Sequence, residues 1–173
     1  MQITRGLILY LLIGSLGVGG CVNADGAEQP TGPQELRAQS EPVSFDPVEE
    51  ASSFVSGIPD RRRVLIDGSE EWAGFWAELS ANLVPTPDAP DIDFESYVVI
   101  AATMGLKPTG GYSIRIKEVS RTGDDLRVVV VETSPGVGCI TTQAFTAPAT
   151  AVTVDRPVGE VEFVEEAETQ DCS

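Results

Sequence analysis

A single stretch of this chain spaces its large apolar residues for a helix. Trp72, Phe75, Trp76, Leu79 and Leu83 recur at i, i+3, i+4, i+7 and i+11, which lines one helical face. The spacing predicts an amphipathic helix over 69–82. Asp67, Gly68 and Ser69 offer capping groups in front of it. Glu70 and Glu71 fall at the end of the helix dipole that favours negative charge. Two Trp and a Phe on one face suit packing onto a sheet better than an exposed ligand platform, because rings of this size dominate a core.

The remaining apolar segments have the length and period of strands. Tyr97 to Thr103 (YVVIAAT) is a continuous apolar run, expected to be a central strand buried on both faces. Tyr112, Ile114 and Ile116 alternate with Ser113, Arg115 and Lys117, which predicts a half-buried strand. Thr122-Gly123-Asp124-Asp125 predicts a tight turn into a partner strand from Leu126 to Glu132. Ala151–Val154 and Val161–Val164 supply two short strands more. Residues 53–58 and 61–66 are expected to form a hairpin around Pro59-Asp60. Three prolines exclude regular structure from Val84 to Pro90. The fold class that follows is α+β. A mainly antiparallel β-sheet, able to curl into a half-barrel, packs with one principal amphipathic α-helix.

Residues 1–20 are set apart from this fold. Arg5 precedes a short apolar run, Leu7 to Ile13, and small residues follow, Gly14 to Gly20. This is the layout of a secretory signal, and the run is too short to span a bilayer as a helix. Val18-Gly19-Gly20-Cys21 resembles the lipobox of bacterial lipoproteins. The resemblance implies cleavage before Cys21, lipidation of that residue and attachment to the outer face of a membrane in the cell envelope. In a host with two membranes, Val22-Asn23 after the Cys points to the outer one. Residues 21–50 are expected to be an acidic, Pro- and Gly-rich disordered tether, leaving 51–173 as the domain. Such a tether spans roughly 30 Å as a flexible coil.

Charge and residue counts narrow the function. Eleven Lys and Arg against 27 Asp and Glu give a net charge of −16. This balance repels nucleic acid and anionic lipid head groups. There is no His, which removes His-based triads, the usual zinc sites and a neutral-pH proton shuttle. No catalytic residue, metal or cofactor is assigned. Asp88, Asp91, Asp93 and Glu95 could attract Ca²⁺, but Ser96 stands where an EF-hand loop starting at Asp91 needs Gly. A solvated acidic loop is the better reading. With Cys21 carrying lipid, Cys139 and Cys172 form an even pair, and a disulfide is expected outside the cytoplasm. Closing a loop of roughly 30 residues is worth about 3 kcal/mol. The rival, a reactive thiol at Cys139, has no His to activate it.

Between two predicted strands lies Met104-Gly105-Leu106-Lys107-Pro108-Thr109-Gly110-Gly111-Tyr112. Gly110-Gly111 permits a sharp turn, and Pro108 stiffens the approach. A Walker phosphate loop would need a different spacing and a Lys-Ser/Thr ending. The run from Gly105 through Ile116 resembles the PrcB C-terminal domain. So do Pro135-Gly136-Val137-Gly138-Cys139-Ile140-Thr141-Thr142-Gln143-Ala144-Phe145-Thr146-Ala147-Pro148 and Glu160-Val161-Glu162-Phe163-Val164 ahead of Cys172. The resemblance covers 98–172. It implies a lipoprotein subunit that supports the assembly and stability of a surface protease complex.

The leading expectation is therefore a lipid-anchored accessory protein that binds an extracytoplasmic protein, such as a subtilisin-like protease. The candidate contact residues are Gly105, Lys107, Pro108, Thr109, Gly110, Gly111 and Tyr112. A protease inhibitor docking Lys107-Pro108 or Ser134–Cys139 into a cleft is the alternative, beside a small-ligand-binding domain. An enzyme built on Glu70 or Glu71, or on Asp91 and Asp93, ranks last.

Overall fold

The computed structural model describes residues 40–53 and 55–172. The signal segment 1–20, Cys21 and residues 22–39 of the tether lie outside the described residues. The fold takes in part of the segment that composition assigned to the tether. Strands β1 (Glu41–Pro42) and β2 (Phe45–Pro47) and a 3₁₀ turn (Glu49–Ala51) precede β3 (Arg61–Ile66). Val48 and Ala51 are buried. After β3 come α1 (Ser69–Leu79), β4 (Tyr97–Met104), β5 (Ser113–Thr122), β6 (Asp125–Pro135), β7 (Ala149–Asp155) and β8 (Val161–Gln170).

The α+β expectation is met, with the strands divided between two sheets and no closed barrel among the described residues. One sheet runs β1-β5-β6-β8 and the other β2-β7-β4-β3. Every pairing is antiparallel except β6 with β8. That parallel pair exists because β7, which lies between them in sequence, crosses to the other sheet. β4 is central and buried on both faces as its apolar run predicts. Val98, Ile100, Ala102 and Met104 face the first sheet, where they meet Ile114, Ile116, Leu126, Val128 and Val130. Val99 and Ala101 face the helix side with Trp72, Phe75, Trp76 and Leu79. The layers are thus helix, sheet, sheet.

The aromatic stripe of α1 is core. Each indole N–H finds a carbonyl on the proline-rich loop: Trp72 Nε1 donates to Pro90 O at 3.0 Å and Trp76 Nε1 to Pro87 O at 2.9 Å. The loop therefore satisfies the polar edge of rings that the sheet buries. The helix stops at Leu79, short of Leu83, where the Ser80 hydroxyl donates to Trp76 O. Its N-cap is Gly68 with no side-chain cap; the Glu71 carboxylate instead accepts the Asp67 N–H at 3.4 Å.

The expected 53–58/61–66 hairpin is not formed. β3 pairs with β4 in the register Arg61↔Met104 to Ile66↔Val99. Ser53 and Val55 make isolated bridges to Ala149 and Ala147 instead. β4 offers β3 a full-length apolar partner, whereas 53–58 could pair only by leaving the start of β7 uncovered.

The edges β3 and β8 are joined by charge. Arg63 Nε lies 2.7 Å from Glu165, and its Nη2 also reaches Glu132. Arg61 meets Glu132 at 2.7 Å and Glu165 at 2.6 Å. The Arg63 side chain is only 10% exposed, and its Nη1 donates to Thr103 O and Arg62 O. Burial works to raise the Glu132 pKa, but hydrogen bonds from Arg63 and Arg61 outweigh it and hold the carboxyl below its ordinary value. Arg63→Met leaves two carboxylates without their central partner and should cost about 2 kcal/mol, read as a lower denaturant midpoint. A variant as stable as wild type would remove the network from the forces joining the sheets. Because the folded Glu132 pKa is depressed, its contribution is complete above the unfolded carboxylate range. It is lost as pH falls through the lowered folded value. Glu132→Gln should therefore flatten the decline of Tm with acidification below about pH 4.5. An unchanged slope would assign the acid sensitivity elsewhere.

Candidate functional site

The predicted glycine-rich loop and the β6–β7 connection meet at one pole. The strand ends set this up: β4 leaves for the loop at Met104, and β6 ends at Pro135 beside Gln170. Lys107 and Thr146 exchange backbone hydrogen bonds at 2.7 and 3.0 Å. The Thr146 hydroxyl donates to Thr109 O at 2.8 Å, and Gly110 N–H donates to Thr142 O at 3.0 Å. Gly111 has φ +88°, the left-handed region, and a Cβ there would sit 3.0 Å from both Pro135 and Thr141. Lys107 Nζ stands 5.6 Å from the Tyr112 ring centroid, a cation–π distance.

The second loop is fastened at its base. Gly136 N–H donates to Gln170 O at 3.0 Å. Cys139 and Cys172 form the expected disulfide, with Cα atoms 5.1 Å apart. Between the loops is a pocket of about 340 Å³ lined by Gly110, Gly111, Tyr112, Ser113, Thr142, Thr146 and Gln170.

The predicted contact residues divide by depth. Pro108 and Gly111 are exposed; Lys107, Thr109, Gly110 and Tyr112 are half-buried. Gly105 is buried under the Pro59–Asp60 turn, so its place is in the fold of the loop. Motif and period do not single out four neighbours: Leu106, Val137, Ile140 and Phe145, which are 57%, 105%, 102% and 70% exposed. A signal for them is nevertheless present. From Thr133 to Val154 there is no Asp, Glu, Lys or Arg, and from Ser96 to Ile114 the one charge is Lys107. In a chain carrying 27 acidic residues, two loops whose one charge is Lys107 and which expose apolar side chains are marked out for contact.

Residues 98–155 match the model of the PrcB C-terminal family. The match runs from β4 through β7 and contains both loops of the pole. No curated protein and no solved structure matches the chain. The PrcB C-terminal family is associated with an accessory role in a protease complex and is not a catalytic family. The carboxylates weighed for catalysis are dispersed. Glu70 and Glu71 are exposed on the first turn of α1. Asp93 caps a turn, accepting the Glu95 N–H at 3.0 Å. Hydrogen bonding from the Ser96 side chain leads the causes that hold its carboxyl below the ordinary range. Among the described residues no group of His, Cys, Asp or Glu is placed to hold a metal ion.

Proposed function

We propose that this chain is a lipid-anchored accessory protein that assembles with, and steadies, a surface protease outside the cytoplasm, and is not itself an enzyme. The observation that carries the reading is the PrcB C-terminal match across both loops of the pole. The lipobox at Cys21 and the acidic tether supply the anchor and the reach. The contact residues are Lys107, Pro108, Thr109, Gly110, Gly111 and Tyr112, held in one shape by the backbone bridge to Thr146.

Crosslinking of the native protein in cells, followed by purification, should capture a surface protease, and Cys21→Ala should release the chain from the membrane fraction. Replacing Lys107 to Gly110 should abolish the capture while the disulfide and fold persist. Loss of the chain should lower the level of the captured protease. A protease whose level and capture do not depend on the chain would sink this reading. The disulfide-braced Ser134–Cys139 segment favours one other reading, an inhibitor. In that case the captured protease would lose activity on titration with the purified chain.

A further inference from the structure

The pocket between the two loops is lined by polar side chains that the fold leaves unused. Tyr112, Ser113, Thr142 and Gln170 line it, and their side-chain oxygens and nitrogens make no hydrogen bond to any described residue. The Thr146 hydroxyl differs, since it is committed to Thr109 O at 2.8 Å. Gly110 keeps the space over Thr142 open, because a Cβ there would collide with the Thr142 hydroxyl oxygen. The walls are fixed from behind. Gly110 N–H donates to Thr142 O and Gly136 N–H to Gln170 O, both at 3.0 Å, and the Cys139–Cys172 disulfide closes just beyond Gln170. Groups that already stand in place lose little freedom when a ligand arrives.

We propose that this pocket is a binding site for a neutral carbohydrate, one sugar ring deep. The inference goes beyond the accessory reading and does not depend on it. The lining decides the class of ligand. It contains no acid and no base, and the Lys107 ammonium lies outside it, 5.6 Å from the Tyr112 ring centroid. An anion would find no charged partner in the lining and would meet a chain of net charge −16. A cation would find no carboxylate there. An extended peptide needs unpaired backbone groups, but those of Lys107 and Thr146 bond each other, as do Gly110 N–H and Thr142 O. An apolar ligand would strip water from three hydroxyls and an amide without replacing its hydrogen bonds. Hydroxyl and amide groups both donate and accept, and the alcohol groups of a sugar do the same. The C–H face of a sugar ring suits the negatively polarised face of Tyr112. A volume of about 340 Å³ is at the small end for ligand pockets and suits one such ring.

The test titrates free glucose, galactose, mannose and N-acetylglucosamine, each up to about 100 mM, into the full lipidated chain, held in a detergent without a sugar head group and read by amide NMR. At least one sugar should give saturable shifts at amides 110–113, 142 and 170 and none at Thr122, the other end of β5. Thr142→Val/Gln170→Ala should bind that sugar at least about tenfold more weakly, because two hydrogen bonds are lost. Both substitutions leave the backbone bonds of these residues in place, and an unchanged Tm establishes that the variant folds. Raising salt from about 0.1 to about 1 M should change sugar binding less than about twofold, since the ligand is neutral. Acetate and a blocked polyalanine peptide are run alongside. Stronger shifts at the same amides from acetate, lost at high salt, overturn the inference in favour of an anion held by Lys107. Stronger shifts from the peptide overturn it in favour of a partner's segment. Sugar binding indifferent to the double variant, or no shift with any sugar, overturns it outright. The accessory reading stands apart from these outcomes, because protease capture is measured without added sugar.

Discussion

Gly105→Ala should be among the most damaging single changes in this protein, costing about 3 kcal/mol and lowering Tm by roughly 10 °C. Two effects combine. Gly105 has φ +68°, a conformation that costs an L-residue about 1 kcal/mol. A Cβ there would also stand 2.7 Å from Pro59 O and 3.0 Å from Arg61 N and the Asp60 carbonyl carbon. These are backbone atoms, so the turn must move. That turn is fixed by Thr103, whose hydroxyl donates to Asp60 O at 2.7 Å and accepts the Arg62 N–H at 2.9 Å. Leu106 N–H donates to Pro59 O from the other side. Relief of the clash therefore disturbs the start of β3 and the setting of Arg61 and Arg63, for a further cost of about 2 kcal/mol. Gly123→Ala is the control. Gly123 has φ +64° but nothing within 4 Å of a Cβ, so only the conformational part, about 1 kcal/mol, should appear. Equal losses for the two variants would show that the contact with the 59–61 turn carries no weight.

Period and composition make most of the layers legible in the residues themselves. Trp72, Phe75, Trp76 and Leu79 specify a buried helix face by their spacing alone, and YVVIAAT specifies a strand covered on both sides. The partition into two sheets is not legible in this way. Nothing local in Val161–Val164 says that β8 pairs in parallel with β6, because that pairing depends on β7 crossing to the other sheet. The hairpin expected at 53–58 fails for the same kind of reason: two short apolar runs around Pro59-Asp60 satisfy the local signal, but pairing is decided by the longer ladder that β4 offers. The strand expected at Val161–Val164 is also shorter than β8. Its continuation, Glu165 to Gln170, holds three acids and Ala167 as its one apolar residue, so no apolar period extends the strand. In the fold, Glu165, Glu166 and Glu168 find Arg61, Arg63, Lys117 and Arg115, and the ladder pairs them with Val130, Val131 and Thr133. At the candidate site, the glycine-rich loop is visible as a motif. Its apolar companions on the second loop are visible only as missing charge, a pattern that gains meaning once the two loops are seen to share a pole.

Removing the disulfide by Cys139→Ser/Cys172→Ser should cost about 3 to 4 kcal/mol, the loop-closure term for a separation of 33 residues. The main effect falls on the unfolded chain, which regains the freedom of that loop. The native strands have other restraints at this point. β8 is laddered to β6 as far as Pro135↔Gln170, and Gly136 N–H still donates to Gln170 O. Backbone pairing should therefore survive up to Gln170 in the double variant, with Tm lower by roughly 10 °C. The loop from Val137 to Phe145 is differently placed. Gly138 has φ +95° and meets nothing within 4 Å, and Val137 and Ile140 are fully exposed. Between the base at Gly136 and the bonds at Thr142 and Thr146, the disulfide at Cys139 and the hydrogen bond from Cys139 N–H to Gly136 O at 3.2 Å restrain where these side chains stand. Hydrogen exchange should thus show β6 and β8 protected to their ends in the double variant while amides 137–141 exchange faster than in wild type. A Tm shift below about 3 °C would contradict the loop-closure account. Unchanged exchange at 137–141 would transfer the shaping of the second loop from the disulfide to the Thr142 and Thr146 hydrogen bonds.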